Sequence, residues 1–306
     1  MKHLLILFFI PLFSICQIKT QDIEINSLIK GTLFSTEKNA KKPNLIILIA
    51  GSGPTDRNGN QQQMQTNSLK LLAEGITNAN NSVFSYDKRL FSLIKNNTFN
   101  EKDLNFEDGI KDVKDIISYF KLQKKYSKII IAGHSEGSLI GMIAAKNNAD
   151  AFISIAGAGR PADELIIEQI EKQTPMLVSE VKENFTSLKK GEVIEIKNPL
   201  LATLFRESIQ PYMISWIKYN PQEEIKNLKV PILIINGTND IQVSQKEAKL
   251  LKVATPTAKL VIIDNMNHVL KNASADRMEN LSTYNNPDLP IVPELVFSIL
   301  NFIKAL

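Results

Sequence analysis

Six short runs rich in apolar, β-branched residues punctuate the chain, at 45–50, 82–87, 128–132, 151–156, 230–235 and 259–263. Runs this short with little polar alternation are expected of strands buried on both faces, the usual condition of a parallel sheet. Helix-period segments lie between them. Ile110, Val113, Ile116, Ile117 and Phe120 recur at threes and fours, with Asn105 placed as the N-cap and Glu107 and Asp108 in the first turn, where the helix dipole favours acid. Pro293 opens a last helix carrying Leu295, Ile299, Phe302 and Ile303. This alternation specifies an α/β chain with a mostly parallel central sheet flanked by helices.

One stretch breaks the pattern. Residues 159–224 offer no convincing strand, yet they hold several helical segments punctuated by Pro161, Pro175, Pro199, Pro211 and Pro221. The only tryptophan, Trp216, falls here beside Tyr212, Met213 and Tyr219. An insertion of this kind between two sheet strands reads as a helical lid over one end of the sheet, with Trp216 and its apolar neighbours expected to line a substrate pocket.

The amino terminus is expected to stand outside the fold. Met1, Lys2 and His3 are a short basic start, residues 4–15 are apolar, and Ser14 and Cys16 are the small residues that would precede a cut before Gln17. The run falls short of the roughly 20 residues of a membrane-spanning helix, and Pro11 interrupts it. Residues 1–16 thus read as an export signal, leaving one domain at 17–306 with no stable membrane span and a periplasmic or secreted location. Lipidation at Cys16 is the alternative, although Ile15 is bulky where that signal wants a small residue. Cys16 is the sole cysteine, so a cut after it leaves no disulfide, no thiolate-bound metal and no cysteine nucleophile. The net charge of +4 rests on dispersed lysines with only five arginines, which argues against a nucleic-acid partner.

The chemistry is signalled at Gly133, His134, Ser135, Glu136 and Gly137, which join the strand 128–132 to a helical stretch at 137–145. In that context Gly-x-Ser-x-Gly becomes a nucleophile elbow, a turn so sharp that side chains at the two glycine positions would collide with their neighbours. Ser135 is then the nucleophile, presented at the positive end of a helix. A serine hydroxyl needs a base, and the chain has only His3, His134 and His268. His3 belongs to the signal, and the ring of His134, beside the nucleophile, should point away from the Ser135 hydroxyl. His268 remains, in the polar loop after strand 259–263. A carboxylate must hold the imidazole tautomer. Asp240 follows strand 230–235 on the same sheet edge and is the expected acid, in the chain order Ser, Asp, His; Asp264, four residues before His268, is its competitor.

Acyl transfer also requires donors for the developing oxyanion, worth about 3–4 kcal/mol each. The N–H of Glu136 is one candidate. The other is the N–H of Ser52, in the glycine-rich loop 51–60 after the first buried strand. A phosphate-cradling loop is a poor rival there, because no Gly-Lys-Ser/Thr follows and no helix is expected to start.

Taken together, the loop 51–60, Tyr86-Asp87-Lys88-Arg89, the elbow 133–138, Asn239-Asp240 and His268 resemble the bacterial EstD-type esterases of the α/β-hydrolase superfamily, near its serine aminopeptidase-like branch. The resemblance covers roughly residues 25–306, and Gly51-Ser52-Gly53-Pro54 with Asp56-Arg57 is its most specific part. It implies an α/β-hydrolase fold and hydrolysis of small-molecule carboxylic esters with short acyl chains, through an acyl-enzyme on Ser135 and without a cofactor or metal, with Asp240 and His268 completing the triad. Leu90 departs from the family, which usually has glycine there, so the turn after the second strand is expected to differ. Asp56, Arg57, Asp87 and Arg89 are expected to form a structural charge network beneath the oxyanion loop. Two other readings remain: an aminopeptidase whose lid carboxylates Glu164, Glu168 and Glu171 capture a free amino terminus, and a non-catalytic binding protein on a hydrolase scaffold.

Overall fold

The computed structural model describes residues 17–306; the expected export signal at 1–16, with Cys16, lies outside the described residues. Eight strands form one sheet: β1 (Ile18–Glu24), β2 (Lys30–Thr36), β3 (Asn44–Ile49), β4 (Asn81–Asp87), β5 (Ile129–His134), β6 (Ala151–Ile155), β7 (Ile232–Gly237) and β8 (Lys259–Ile263). Their spatial order is β1-β2-β4-β3-β5-β6-β7-β8. From β4 to β8 every pairing is parallel, while β1 and β2 pair antiparallel at one edge.

The parallel strands follow the six sequence runs to within a few residues; in the interior strands burial on both faces demands apolar side chains on both, while β8 closes the edge of the sheet half-buried. In β3 Leu45, Ile47 and Ile49 enter one core with Phe84, Phe120 and Phe152, whereas Ile46 and Leu48 enter the opposite core with Leu295 and Ile299. The expected helices lie at Phe106–Gln123, where the Asn105 side chain accepts from the Glu107 N–H, and at Pro293–Lys304. The β1–β2 ribbon was not expected from the sequence. β1 reads Ile-Lys-Thr-Gln-Asp-Ile-Glu and is largely exposed, so it satisfies an edge strand's backbone requirement without an apolar face to announce it.

The sheet order positions the site. The chain leaves β3 towards β4 on one side and then crosses to β5 on the other. The loops after β3 and β5 therefore diverge at the carboxyl ends of neighbouring strands, the crevice where open α/β sheets hold ligands.

Between β6 and β7 the chain is helical. Helices at Ala162–Gln173, Val178–Lys189, Ala202–Phe205 and Gln210–Trp216 enclose a small core of their own, with Val181, Phe185, Leu188, Phe205 and Met213 buried, while the helix Pro221–Lys226 sends Ile225 into the main core. Arg160 fastens the start of this insertion to the main body through Glu247, at 2.5 Å, and to Glu168. No helix among the described residues is long and apolar enough to cross a membrane.

Candidate active site

Ser135 sits at the turn between β5 and the helix Glu136–Ala145 with φ 55° and ψ −123°. Few non-glycine residues adopt this strained backbone, and it persists only where the surroundings fix it. Its N–H donates to the Ile155 carbonyl at 2.9 Å, extending the β5–β6 ladder through the turn. The flanking glycines are required by contact: a Cβ on Gly133 would lie 2.1 Å from the Gly137 carbonyl oxygen, and one on Gly137 would lie 2.5 Å from that of Ala50.

His268 and Asp240 meet this hydroxyl in a row. His268 Nε2 lies 3.1 Å from Ser135 Oγ, and His268 Nδ1 lies 2.8 Å from Asp240 Oδ2. A carboxylate only accepts, so Nδ1 carries the proton and Nε2 is left free to accept one from the serine. The other oxygen of Asp240 accepts from the Gln242 and Val243 N–H groups at 2.9 and 2.8 Å, which fixes the carboxylate. His268 and Asp240 are both buried, whereas Asp264 is exposed.

His134 points away from the hydroxyl. Its Nε2–H donates to the carbonyl of His268 at 2.8 Å. Burial, helped by the neighbouring His268, pushes the His134 ring down to about 4, so it is neutral over the ordinary pH range. The His268 loop is further held by Asn267, which is fully buried and donates to Thr283 Oγ1 at 2.7 Å and Asn280 Oδ1 at 3.2 Å while accepting from the Lys271 N–H. Burial pushes the Lys271 amine down to about 8.

Ser52 lines a cavity of about 60 Å³ together with Gly51, His134, Ser135, Gln242 and His268. The Ser52 carbonyl is tied back by Gln61 Nε2 at 2.9 Å and Thr55 Oγ1 at 3.0 Å. Among the described residues neither the Ser52 nor the Glu136 N–H meets a backbone acceptor. The Glu136 side chain is buried and receives Lys88 Nζ at 2.8 Å and the Tyr212 hydroxyl at 2.6 Å, joining the elbow to the insertion. Burial and then the Glu136 charge raise the Tyr212 pKa, keeping the phenol a donor.

The charge network is arranged differently from the expectation. Arg57 pairs with Asp87 at 2.7 Å and Asp22 at 2.9 Å, and Arg89 with Asp108 at 2.6 Å and Asp112 at 2.7 Å. Asp56 meets no arginine; it accepts from the Asn58 and Asn60 N–H groups and shapes its own loop. Trp216 is also elsewhere. It stacks on Phe106 with ring centroids 6.1 Å apart and lines neither the 60 Å³ cavity nor a larger one of about 710 Å³, whose wall includes Tyr212 instead. Tyr212, one of the neighbours of Trp216 expected at a pocket, does wall the larger cavity, but its bond to Glu136 was not foreseen. Sequence reasoning also missed the roles of Gln61, Lys88 and the Asn267 cluster, since polar residues with distant partners carry no local pattern. Among the described residues no group of three or more His, Cys, Asp or Glu converges to hold a metal ion.

The sequence profile of the serine aminopeptidase S33 family matches residues 65–274, which include the elbow, Asp240 and His268. The chain belongs to this family. As an S33 family member it is 27% identical over 257 residues to Esterase EstD of Thermotoga maritima, an alignment covering 82% of this chain and 60% of that protein. It thus spans about three-fifths of that relative's length. Est1E from Butyrivibrio proteoclasticus has a similar structure, with TM-score 0.59 at 17% identity and coverage of 93% and 99% of the two chains. The peroxisomal α/β-hydrolase Lpx1 from Saccharomyces cerevisiae gives 0.55 at 12% identity, with 94% and 88% covered. These likenesses are of fold, and the fold is that of the α/β-hydrolases.

Proposed function

We propose that this chain is a serine carboxylesterase. The observation that carries the reading is the hydrogen-bonded row of Ser135, His268 and Asp240, built on a positive-φ turn at the carboxyl edge of the sheet. His268 Nε2 takes the Ser135 proton as Oγ attacks the ester carbonyl, and Asp240 stabilises the imidazolium that forms. The carbonyl oxygen, now negative, faces the N–H groups of Ser52 and Glu136. His268 then protonates the departing alcohol, and water releases the acid from Ser135 by the same steps in reverse.

The kinship to a protein named an esterase supports ester cleavage over the peptidase reading. So does the insertion: Glu164, Glu168 and Glu171 line neither cavity, and Glu168 is already engaged by Arg160 and Lys172. The insertion acts as a lid in the sense that Arg206, Ile209 and Tyr212 wall the larger cavity. Ser135→Ala is expected to lower turnover of p-nitrophenyl acetate by about 10⁴-fold or more while leaving the thermal unfolding midpoint in place. Retained turnover in a folded variant would falsify the assignment.

A further inference from the structure

Resting on the esterase reading, we infer, in place of the short acyl chains that the resemblance implies, that the acid part of the substrate is large, uncharged and mostly apolar, an arylalkyl acyl group seated in the 710 Å³ cavity, and that the alcohol part is small. The two cavities differ in size and in what borders them. The 60 Å³ cavity holds Ser135 and His268, a space of roughly two water molecules. The leaving oxygen must lie where His268 Nε2 can hand it a proton, so the alcohol belongs on this side. The 710 Å³ cavity contains no residue of the Asp240 or His268 loops; it lies on the side of Gly53 and Pro54, next to Ser52, and of Ile140, on the elbow helix, and it borders the smaller cavity at Gln61. That is the side left to the acyl group.

Its lining sets the chemistry. Phe91, Ile94, Phe99, Phe106 and Ile209 supply apolar wall, and Phe91, Ile94 and Phe99 show 36%, 53% and 40% of their surface to solvent, as expected of side chains awaiting an apolar partner. The cations of the wall are already matched: Lys88 by Glu136, Arg89 by Asp108 and Asp112, and Arg206 by Glu101. None is left to receive a substrate carboxylate. Gln61 is the one residue that lines both cavities, and its amide is held at the partition by Ser52 O and Thr55 Oγ1, at 2.9 and 2.8 Å. Its side chain therefore marks the threshold that the acyl group crosses.

Four aliphatic esters test this on the purified protein by pH-stat: ethyl acetate, ethyl 3-phenylpropanoate, 3-phenylpropyl acetate and monoethyl succinate. Moving from ethyl acetate to ethyl 3-phenylpropanoate is expected to raise kcat/KM by about tenfold or more, while the same phenylpropyl group on the alcohol leaves it within about threefold. Monoethyl succinate is expected to be about tenfold poorer than the phenylpropanoate. In the double variant I94E/F99E, checked for an unchanged circular dichroism melt, the acyl preference should fall by about fivefold or more. A gain on the alcohol side equal to or above that on the acyl side overturns the inference, as does no gain on either, a preferred succinate, or a preference untouched by I94E/F99E. Hydrolysis of none of the four would instead bring down the esterase reading itself.

Discussion

The carboxyl edge of the sheet and the helical insertion above it are held by different means. At the edge, backbone bonds continue past the strand ends: Ser135 N–H to Ile155 at 2.9 Å, Ala156 to Ile235 at 2.8 Å, Thr238 to Ile263 at 3.0 Å and Asn239 to Met266 at 3.1 Å. Ser135, Asp240 and His268 thus ride on loops whose positions follow from the ladder. The insertion meets the body through side chains, Arg160 on Glu247, Tyr212 on Glu136, Ser215 Oγ accepting from the Phe106 N–H and Trp216 on Phe106. Side-chain ties can be exchanged without moving a strand. The fold thus carries Ser135, Asp240 and His268 on the part it positions by backbone bonds, and one wall of the larger cavity, Arg206, Ile209 and Tyr212, on the part it can revise.

Changes at the edge should strike turnover hardest. Asp240→Asn is expected to reverse the His268 tautomer and cost about 10⁴-fold in kcat, while Asp264→Asn, at an exposed position, stays within about threefold. Steady-state kinetics of the two variants would break the comparison if the Asp264 change were the more damaging.

A second, smaller effect concerns acid. His134 has its pKa at about 4, against an ordinary value of 6.5. Between those values the unfolded chain binds a proton that the folded one refuses, so stability falls as pH drops through the window, by about 3 kcal/mol in all. His134→Gln, whose amide can still donate to the His268 carbonyl, should flatten this limb of the urea-unfolding profile between pH 6.5 and 4; an unchanged limb would remove His134 as its source.

The insertion should respond most mildly. Tyr212→Phe deletes one hydrogen bond to a buried carboxylate, for an expected loss of about 1.5 kcal/mol in unfolding free energy. Because Tyr212 also walls the larger cavity, KM should rise by more than kcat falls. A kcat loss exceeding the KM change would show the insertion to be as tightly coupled to the chemistry as the edge is.

The same contrast explains what could be read from the sequence. Strands β3, β5, β6 and β7 are legible because burial on both faces writes nearly unbroken apolar runs; β4 is legible despite its buried Ser82 and Ser85, and β8 despite being only half-buried at the edge, whereas β1 is not, because an exposed edge strand needs only its backbone. Ser135 is legible through two glycines that geometry demands, and His268 through the scarcity of histidine. Asp240 and its rival Asp264 could be ranked from strand order, but only the fold brings one of them, Asp240, to the ring. Gln61, Lys88 and Tyr212 take their places from partners far away in the chain, which no local spacing records. Trp216 shows the converse limit: an aromatic cluster that fills a helix interface has the same composition as one that lines a pocket.

The most direct test of the central claim is covalent labelling of the protein with a fluorophosphonate, read by mass spectrometry of the digested peptides. The account predicts a single adduct on Ser135, absent in Ser135→Ala and strongly slowed in Asp240→Asn. No adduct on the folded protein, or one on a serine other than Ser135, would contradict it.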